Sequence, residues 1–496
     1  MASSKKKKKV CVVGAGVAGL GAARELLREG HAVTVMEQSD GVGGQWLYDP
    51  ATDAGDPLGV AGAHSSIYAS LRLNTPREAI GFSDFPFYPN KDGTGDARRY
   101  PCHGEFLRYI RDFCEAFGLM DAVRLNTKVL RVAMAQPDHD GGNLRWVVTY
   151  EGEEVGTMAE EVFDAVVVAV GQYTQPRLPT INGMDKWSRR QLHSHSYRVP
   201  DTFKDQVVVI VGSATRAART SPSTSARWRG RCTSASSPPP AASPPACQRR
   251  CPTTTTCTCN PRSIACARTG GWCLPTAPAS SPTPSSTARG EQSSAYMLGR
   301  TMTAPFTIDH IQHRYDYSFP FLDTAGAITV DDNRVGPLYE HTFPPALAPS
   351  LSFVSVTKLV VVPRFFEAQA RWVAQVLSGR RSLPPPEEML RSVEEYHRAR
   401  EVAGVPKRHT HSIAFDWDYC DEFGDKYCEF PRLEEWKKEL IWSSIRSTLD
   451  HPESCRDDYH DSDLVLEGLR SKGWLTGRAP ATQDGEERAP NPQTHL

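Results

Sequence analysis

At 496 residues, with 57 basic against 58 acidic side chains and 9% aromatics, the chain has room for two or three domains, and its formal net charge of -1 offers no electrostatic footprint for nucleic acid. Its 13 cysteines, about half of them between Cys232 and Cys273 and the others scattered, read as thiols of a reduced, cytoplasmic setting rather than as a disulfide framework. No apolar stretch approaches the roughly 20 residues needed to cross a bilayer, so no membrane span is expected. The opening "MASSKKKKKV" is basic with no apolar run before the first strand, which predicts a solvated tail rather than a secretory signal.

The next stretch, "KVCVVGAGVAGLGAARELLREGHAVTVMEQ", predicts a buried parallel strand over Val10 to Val13, a glycine turn, a helix closed by Gly30, and a second strand ending at Glu37. Gly14, Gly16 and Gly19 fall at the G-x-G-x-x-G spacing. Gly14 permits the tight turn, Gly16 lets the backbone approach a pyrophosphate, and Gly19 lets the helix pack closely on the strand. The helix N-terminus then faces the phosphates with free N–H groups, and Glu37 lies where a ribose hydroxyl needs an acceptor. An acid rather than an arginine at that position favours FAD or NAD over NADP. Gly43 and Gly44, directly after the second strand in "SDGVGGQW", add the close return under the cofactor that flavoproteins show.

Further along, "GEFLRYIRDFCEAFG" has helical apolar spacing and ends at Gly118, and "DAVVVAVGQY" reads as a buried strand leaving the first domain at Gly171. A second nucleotide turn begins in "DQVVVIVGSATRAARTSPSTSARWRG", but only Gly212 stands where glycines should recur. From Gly212 to Ser263 there is no Val, Leu, Ile, Met, Phe or Tyr and no acidic residue. Such a composition cannot bury enough apolar surface to offset its ordering entropy, so 213–313 is expected to lack a compact core. Between Ser213 and Arg289 nearly every residue has C or G in the middle codon position. In a GC-rich gene a one-base slip moves the wobble base into that place, so the alphabet points to a reading-frame shift. "EAQARWVAQVLSG" predicts a helix closed by Gly379, "WDYCDEFGDKYCEF" lacks the spacing of a metal site, and 451–496 reads as a disordered tail.

The sequence resembles the flavin-containing monooxygenases, especially their plant S-oxygenating branch. The resemblance rests on "GAGVAG", "GVGGQW", "LRLNTPREAIGFSDFPF", "DAVVVAVGQYTQPRLP", "QLHSHSYR", "FPFLDTAGAITVDDNRVGPLYEHTFPPALAPSLSFV" and "WVAQVLSGR", and covers most of 8–212 and 315–440. It implies an α/β fold with two dinucleotide-binding, Rossmann-like domains: an FAD domain in two parts, 1–170 and 315–450, with an NADPH domain inserted at 171–314 and disrupted here. It also implies oxygenation of a thioether sulfur or amine nitrogen by molecular oxygen through a C4a-hydroperoxyflavin. The implied FAD contacts are Gly14, Ala15, Gly16, Val17, Ala18, Gly19, Glu37, Gly44, Gln45, Trp46, Asn74 and Thr75, with Gly212 left for NADPH. Asn74 matches the family's active-site asparagine, although an asparagine before Thr75-Pro76 also suits an Asx turn. No metal and no nucleic-acid partner are implied. The fingerprint F-x-G-x-x-x-H-x-x-x-[YF] is matched by His193 and Tyr197 but carries Trp187 and Arg189 in place of Phe and Gly. Taken alone, His193 reads as a structural histidine rather than a ligand contact. Two rivals stand beside this reading. One is an FAD-binding protein with no NADPH-driven activity, and the other is a disulfide or NADH reductase, disfavoured because no C-x-x-C pair follows the FAD turn.

Overall fold

Val10 to Val13 carry no polar side chain because both faces of the strand they form are covered. In the computed structural model they belong to β1 (Lys9–Val13), the centre of a five-stranded parallel sheet ordered β17-β7-β1-β2-β3, whose other members are β2 (Ala32–Met36), β3 (Val123–Arg124), β7 (Ala165–Val168) and β17 (Leu351–Phe353). The structure describes residues 7–51, 56–59, 65–90, 92–136, 144–152, 156–173, 175–179, 183–204, 315–451 and 454–475, plus the backbone of strands at 207–211, 232–235 and 294–298.

Alternate residues of the central strands feed two cores, as the two-residue period of a strand requires. Val10, Val12, Ala165 and Val167 pack towards α1 (Val17–Arg28), α2 (His103–Ala116) and α3 (Arg364–Ser378). Cys11, Val13, Val166 and Val168 face Trp146, Val148 and Phe163. These last belong to a second sheet, ordered β14-β4-β5-β6, of β4 (Lys128–Met134), β5 (Trp146–Glu151), β6 (Met158–Phe163) and β14 (Leu322–Asp323). Two short pairs, β8 (Gln175–Pro176) with β13 (Tyr315–Asp316) and β15 (Thr329–Asp331) with β16 (Arg334–Gly336), complete this half. Strand β17, some 180 residues after β7 in the chain, pairs with it in parallel through Leu351 and Val166, so the segment after 315 closes the sheet that the first segment opens.

The helices end as the sequence suggested. The residue after α3 is Gly379 at φ 80°, and Gly118, shortly after α2, is left-handed at φ 59°. Helix α1 buries Leu20, Ala23 and Leu26, whereas Leu27 is 39% exposed at its end. Arg24 of α1 is fully buried and bonded to Glu25, to Asp84 at 2.7 Å and to Glu367 of α3 at 2.5 Å, so one guanidinium ties α1, the loop after Gly81 and α3 together. Buried charges of this kind persist where they are paired and hydrogen-bonded from several sides.

A third sheet, ordered β11-β10-β12-β9, is all parallel and contains β9 (Gln191–His193), β10 (Val207–Val211), β11 (Cys232–Ala235) and β12 (Ser294–Leu298). Two of these strands lie inside 213–313, where no compact core was expected; the remainder of that stretch, with Gly212, lies outside the described residues.

The reading of 451–496 as a disordered tail needs correction for 454–475. That segment contains α7 (Asp463–Ser471), capped by the Ser462 side chain, which accepts the Val465 N–H at 3.4 Å. Val465 and Leu469, one turn apart, are buried against Trp436, Leu440 and Ile441 of α6 (Glu435–Asp450), and Gly468 leaves space for the Trp436 ring. Composition misled because a nine-residue amphipathic helix inside a polar stretch hardly moves the average. Between α3 and α6 lie α4 (Pro386–Val402) and α5 (Trp417–Phe423).

Candidate functional site

A cavity of about 690 Å³ opens where the carboxyl ends of β1, β2 and β7 meet the α1 N-terminus, and it runs to the inner face of α6. This is the end of a parallel sheet at which nucleotides bind.

The glycine turn forms one end. Gly14 is left-handed at φ 100°, and a Cβ there would lie 2.9 Å from the Ala169 carbonyl oxygen. Gly19 sits so close beneath the turn that a Cβ would meet Gly14 O at 1.9 Å. Gly16, by contrast, has the ordinary extended φ of -76° and caps α1. Its absent side chain keeps space open between the turn and Gly44, whose own Cβ would come 2.9 Å from Gly16 Cα. The first N–H groups of α1 point into this space, and the first turn carries no acidic side chain to compete with a bound anion. Beside it, Glu37 accepts the Ala15 N–H at 2.7 Å and the Ser39 N–H at 2.9 Å. Each carboxylate oxygen keeps a second lone pair for a ribose hydroxyl.

Of the residues singled out in the sequence, Gly14, Gly16, Val17, Ala18, Glu37, Gly44, Gln45, Trp46, Asn74 and Thr75 all line this one cavity. Ala15 is fully buried and acts through its N–H, and Gly19 acts from beneath the turn. Gly43 and Gly44 take φ 133° and 56°, starting a single tight turn that seats Trp46 edge-on to Phe106, ring centroids 4.7 Å apart. His193 is buried outside the cavity, where its Nδ1 accepts the His195 N–H at 3.1 Å, in keeping with a structural role. Arg189, standing where the family pattern has glycine, is not among the residues with positive φ, so no left-handed turn is strained there.

The sequence did not disclose the opposite wall. Ser355, Thr357 and Leu359 line it, with Ser355 and Leu359 held at φ 81° and 55°, a region that non-glycine residues enter at a cost and that clusters at binding sites. The far end is closed by Phe415 and by Ile441, Ser444, Ile445 and Thr448, which recur along one face of α6. There the Tyr100 hydroxyl donates to Ser444 Oγ at 3.0 Å, and Ser444 Oγ contacts the Asn74 carbonyl at 3.5 Å.

Does FAD fit these residues? The cavity pairs an anion-binding turn and a ribose acceptor at one end with a broad, mainly apolar chamber at the other. Two buried side-chain oxygens on its walls, Gln45 Oε1 and Thr357 Oγ1, have no hydrogen-bond partner among the described residues, as expected of groups that meet a ligand. Gly14, Gly16, Val17, Ala18 and Glu37 would hold the adenosine pyrophosphate, and Gln45, Asn74, Thr75 and Thr357 the ring end.

Behind Thr357 the chain buries a polar cluster. Lys358 is packed with its ammonium 4.3 Å from the Tyr317 ring centroid, and burial pulls its pKa down to about 8. Its backbone N–H donates to the His411 carbonyl at 2.8 Å. His411 Nε2 accepts the Val335 N–H at 3.0 Å, so the neutral ring carries its proton on Nδ1 and donates it to His341 Nδ1, also 3.0 Å away. Burial, reinforced by the positive charges of Arg400 and His397, lowers the His341 pKa to about 3, and burial likewise pushes His411 well below its ordinary value. The unfolded imidazoles take up protons below about pH 6.5 while the folded ones resist, so stability falls as pH drops through that value. From pH 7 to 5, His341 alone should cost about 2 kcal/mol of unfolding free energy. Urea melts at the two pH values should show the loss, and His341→Phe should flatten it; an unchanged slope in the variant refutes the assignment.

The flavin-binding monooxygenase-like family profile matches residues 7–227 and 293–433. Flavin-containing monooxygenase FMO GS-OX-like 9 of Arabidopsis thaliana is 42% identical over 478 residues, covering 95% of this chain and 97% of that protein. The solved S-allyl-L-cysteine S-oxygenase from Allium sativum is 37% identical with a TM-score of 0.77, over 95% of this chain and 99% of that one. Tmm from Pelagibacter sp., 18% identical with a TM-score of 0.66 over 92% of this chain and 94% of that one, shares the fold.

Proposed function

Because the chain belongs to the flavin-binding monooxygenase-like family, we propose that it is an FAD- and NADPH-dependent monooxygenase acting on a small soft nucleophile, a thioether sulfur in preference to an amine nitrogen. One oxygen atom of O₂ enters the substrate, and two electrons from NADPH reduce the other to water. Bound FAD supplies the redox chemistry and the reaction with oxygen. The protein's own groups bind, orient and exclude water. Asn74 and Ser444 stand at the cavity end nearest α6, and Ile441, Ile445 and Phe415 cover it from solvent.

The observation that carries this reading is the single cavity joining the glycine turn and Glu37 to Asn74. The preference for sulfur is supported by the charged side chains among its described lining residues, Glu37, Lys128 and Asp316, none of which lies on the α6 wall to receive an ammonium. A neutral, polarizable thioether suits that apolar end. The relative from garlic is named for S-oxygenation, which agrees.

The domain assignment belongs to the same proposal. Residues 1–170 and 315–450, extended by 454–475, form the FAD-binding part, supported by the shared β17-β7-β1-β2-β3 sheet. Residues 171–314 are the inserted NADPH part, supported by the separate parallel sheet containing β10. Among the described residues no helix is long and apolar enough to cross a membrane. A cytoplasmic setting without a nucleic-acid partner goes with this reading, supported by the free thiols of Cys11, Cys102, Cys114, Cys420, Cys428 and Cys455.

The test uses the flavin half directly. The purified chain, loaded with FAD, is reduced with dithionite, freed of excess reductant, and mixed with ¹⁸O₂ and an alkyl thioether. The expected product is a sulfoxide carrying one ¹⁸O per flavin; product without the label, or a chain that never takes up FAD, overturns the proposal.

A further inference from the structure

Arg24 and Arg99 are buried, and each is paired with two carboxylates. Lys358 is as deeply buried, at 6% exposed, yet it makes no ion pair among the described residues. Its ammonium rests on the face of Tyr317, 4.3 Å from the ring centroid. A ring face offsets only part of what burying an ion costs, and an apolar side chain of similar length would fill the place with less loss. Fold stability therefore does not account for a lysine here.

Its place in the fold does. Lys358 stands between Thr357 and Leu359, both of which line the cavity. The backbone is clamped at this point: Lys358 N–H donates to the His411 carbonyl at 2.8 Å, and the Lys358 and Leu359 carbonyls accept from Ile413 at 2.9 Å and Phe415 at 2.8 Å. The Tyr317 hydroxyl donates to the Val356 carbonyl and lies 3.4 Å from Oε1 of Gln172, another residue of the cavity wall. Asp316, also on that wall, is the acid whose charge acts on Lys358, and it does so from beyond ion-pair distance. His411 and His341, packed on the same segment, are kept neutral by burial. Although burial lowers its pKa to about 8, Lys358 is still mainly charged at neutral pH. The wall thus carries a positive charge that no described carboxylate neutralises at contact distance. In a site shielded from water such a charge acts across several ångströms without touching its target.

We propose that Lys358 supplies the positive charge that stabilises negative charge on the reduced flavin ring, and so sets how readily the bound cofactor accepts electrons. Charge near the ring is one of the means by which a protein tunes a cofactor's electronics. The role is electrostatic rather than one of contact, and it rests on the FAD site of the proposed function.

The experiment compares the FAD-loaded parent with Lys358→Met and Lys358→Arg in the full chain. Each is reduced with dithionite without oxygen and titrated across neutral pH, the visible spectrum following ionisation of the reduced ring at N1. Loss of the cation disfavours the anionic ring, so in Lys358→Met that ionisation should move to higher pH by about one unit, a tenfold lower acid constant. Lys358→Arg, which keeps the charge, should stay close to the parent. Sulfite adds its electron pair to N5 of the oxidised ring and leaves the ring anionic, and it should bind Lys358→Met about tenfold more weakly. The titration depends on no added anion binding to the ring, so it separates an effect on the ring from one on sulfite. The Lys358→Met apoprotein should melt at or above the parent's temperature, because an unpaired buried ammonium is gone. Unchanged N1 ionisation in Lys358→Met, equal shifts in Lys358→Met and Lys358→Arg, or an apoprotein of Lys358→Met that fails to fold or melts well below the parent overturns the inference alone. A parent chain that never takes up FAD overturns the proposed function, and this inference with it.

Discussion

Gly16→Val should yield a folded protein without flavin, with FAD affinity lowered by at least roughly a hundredfold, about 2.7 kcal/mol. The expectation rests on a contrast within one turn. Gly16 has an ordinary φ of -76°, and a Cβ there would meet only Gly44 Cα, at 3.7 Å, which is normal contact. A side chain at 16 therefore costs the fold little, but its branches enter the space over the α1 N-terminus that a pyrophosphate needs. Gly19 differs, because a Cβ there would lie 1.9 Å from Gly14 O and force the helix off the turn. Gly19→Val should lower the melting temperature as well as the flavin content. Far-ultraviolet dichroism, melting temperature and the visible absorbance of the purified variants separate the two outcomes. A Gly16→Val protein that retains the parent's yellow colour places the cofactor elsewhere.

The contrast also shows what the sequence made legible. Three glycines, a buried strand and a terminal acid lie within thirty residues, and their roles depend on local backbone geometry, so spacing alone located the turn, the helix and Glu37. The structure refined the division of labour among them. Gly14 and Gly19 serve the close packing of the turn, and Gly16 is the glycine that leaves the ligand's space. The opposite wall was not legible, because Ser355 and Leu359 adopt a left-handed conformation with no glycine to announce it, and tertiary packing holds them there.

Arg456, whose Nε donates to the Leu73 carbonyl at 3.0 Å, was missed for a different reason. Its surroundings, "HPESCRDDYHDSD", read as polar tail, and the groups they pair with lie more than 360 residues earlier, as in the pairs of Arg72 with Asp457 and Arg99 with Asp461. A charge pattern is interpretable from sequence when its partner is one helical turn away, and not when the partner is reached only through the fold. The helix that follows did carry a signal, Ser462 three residues before Val465 with Leu469 a turn later, and composition outweighed it. The same dependence on neighbours explains why the fingerprint match of His193 discloses no partner and why His411 is unremarkable in sequence. Only the structure shows one capping a short turn and the other fixing the proton of His341.

The second large effect concerns electron supply, and it runs against what family membership alone suggests. NADPH should reduce the FAD of this chain at least about a hundredfold more slowly than it reduces a repaired version, because the nicotinamide must be held within roughly 3–3.5 Å of its acceptor for a reactive geometry. That hold depends on gripping the pyrophosphate at a glycine turn after a parallel strand. Here β10 ends at Val211 and is followed by "GSATRAART", so Gly212 is succeeded by Ser213, Ala214 and Thr215 where a close approach of backbone to phosphate requires further glycines. The residues that follow draw on a narrow alphabet, and we propose that a shifted reading frame accounts for it, which would make the defect one of coding rather than of chemistry. Two measurements test the two halves of the argument. Sequencing the transcript should reveal a one-base discrepancy between Gly212 and Tyr315, and a continuous in-frame messenger for this stretch refutes the frame shift. Anaerobic stopped-flow mixing of FAD-loaded protein with NADPH should give slow bleaching of the flavin, whereas dithionite bleaches it at once and subsequent oxygen with an alkyl thioether yields the sulfoxide. If NADPH bleaches the flavin as fast in this chain as in the repaired one, the segment after β10 forms a working nucleotide grip without the glycines, and the parallel pairing of β10 with β11 and β12 becomes the place to look for it.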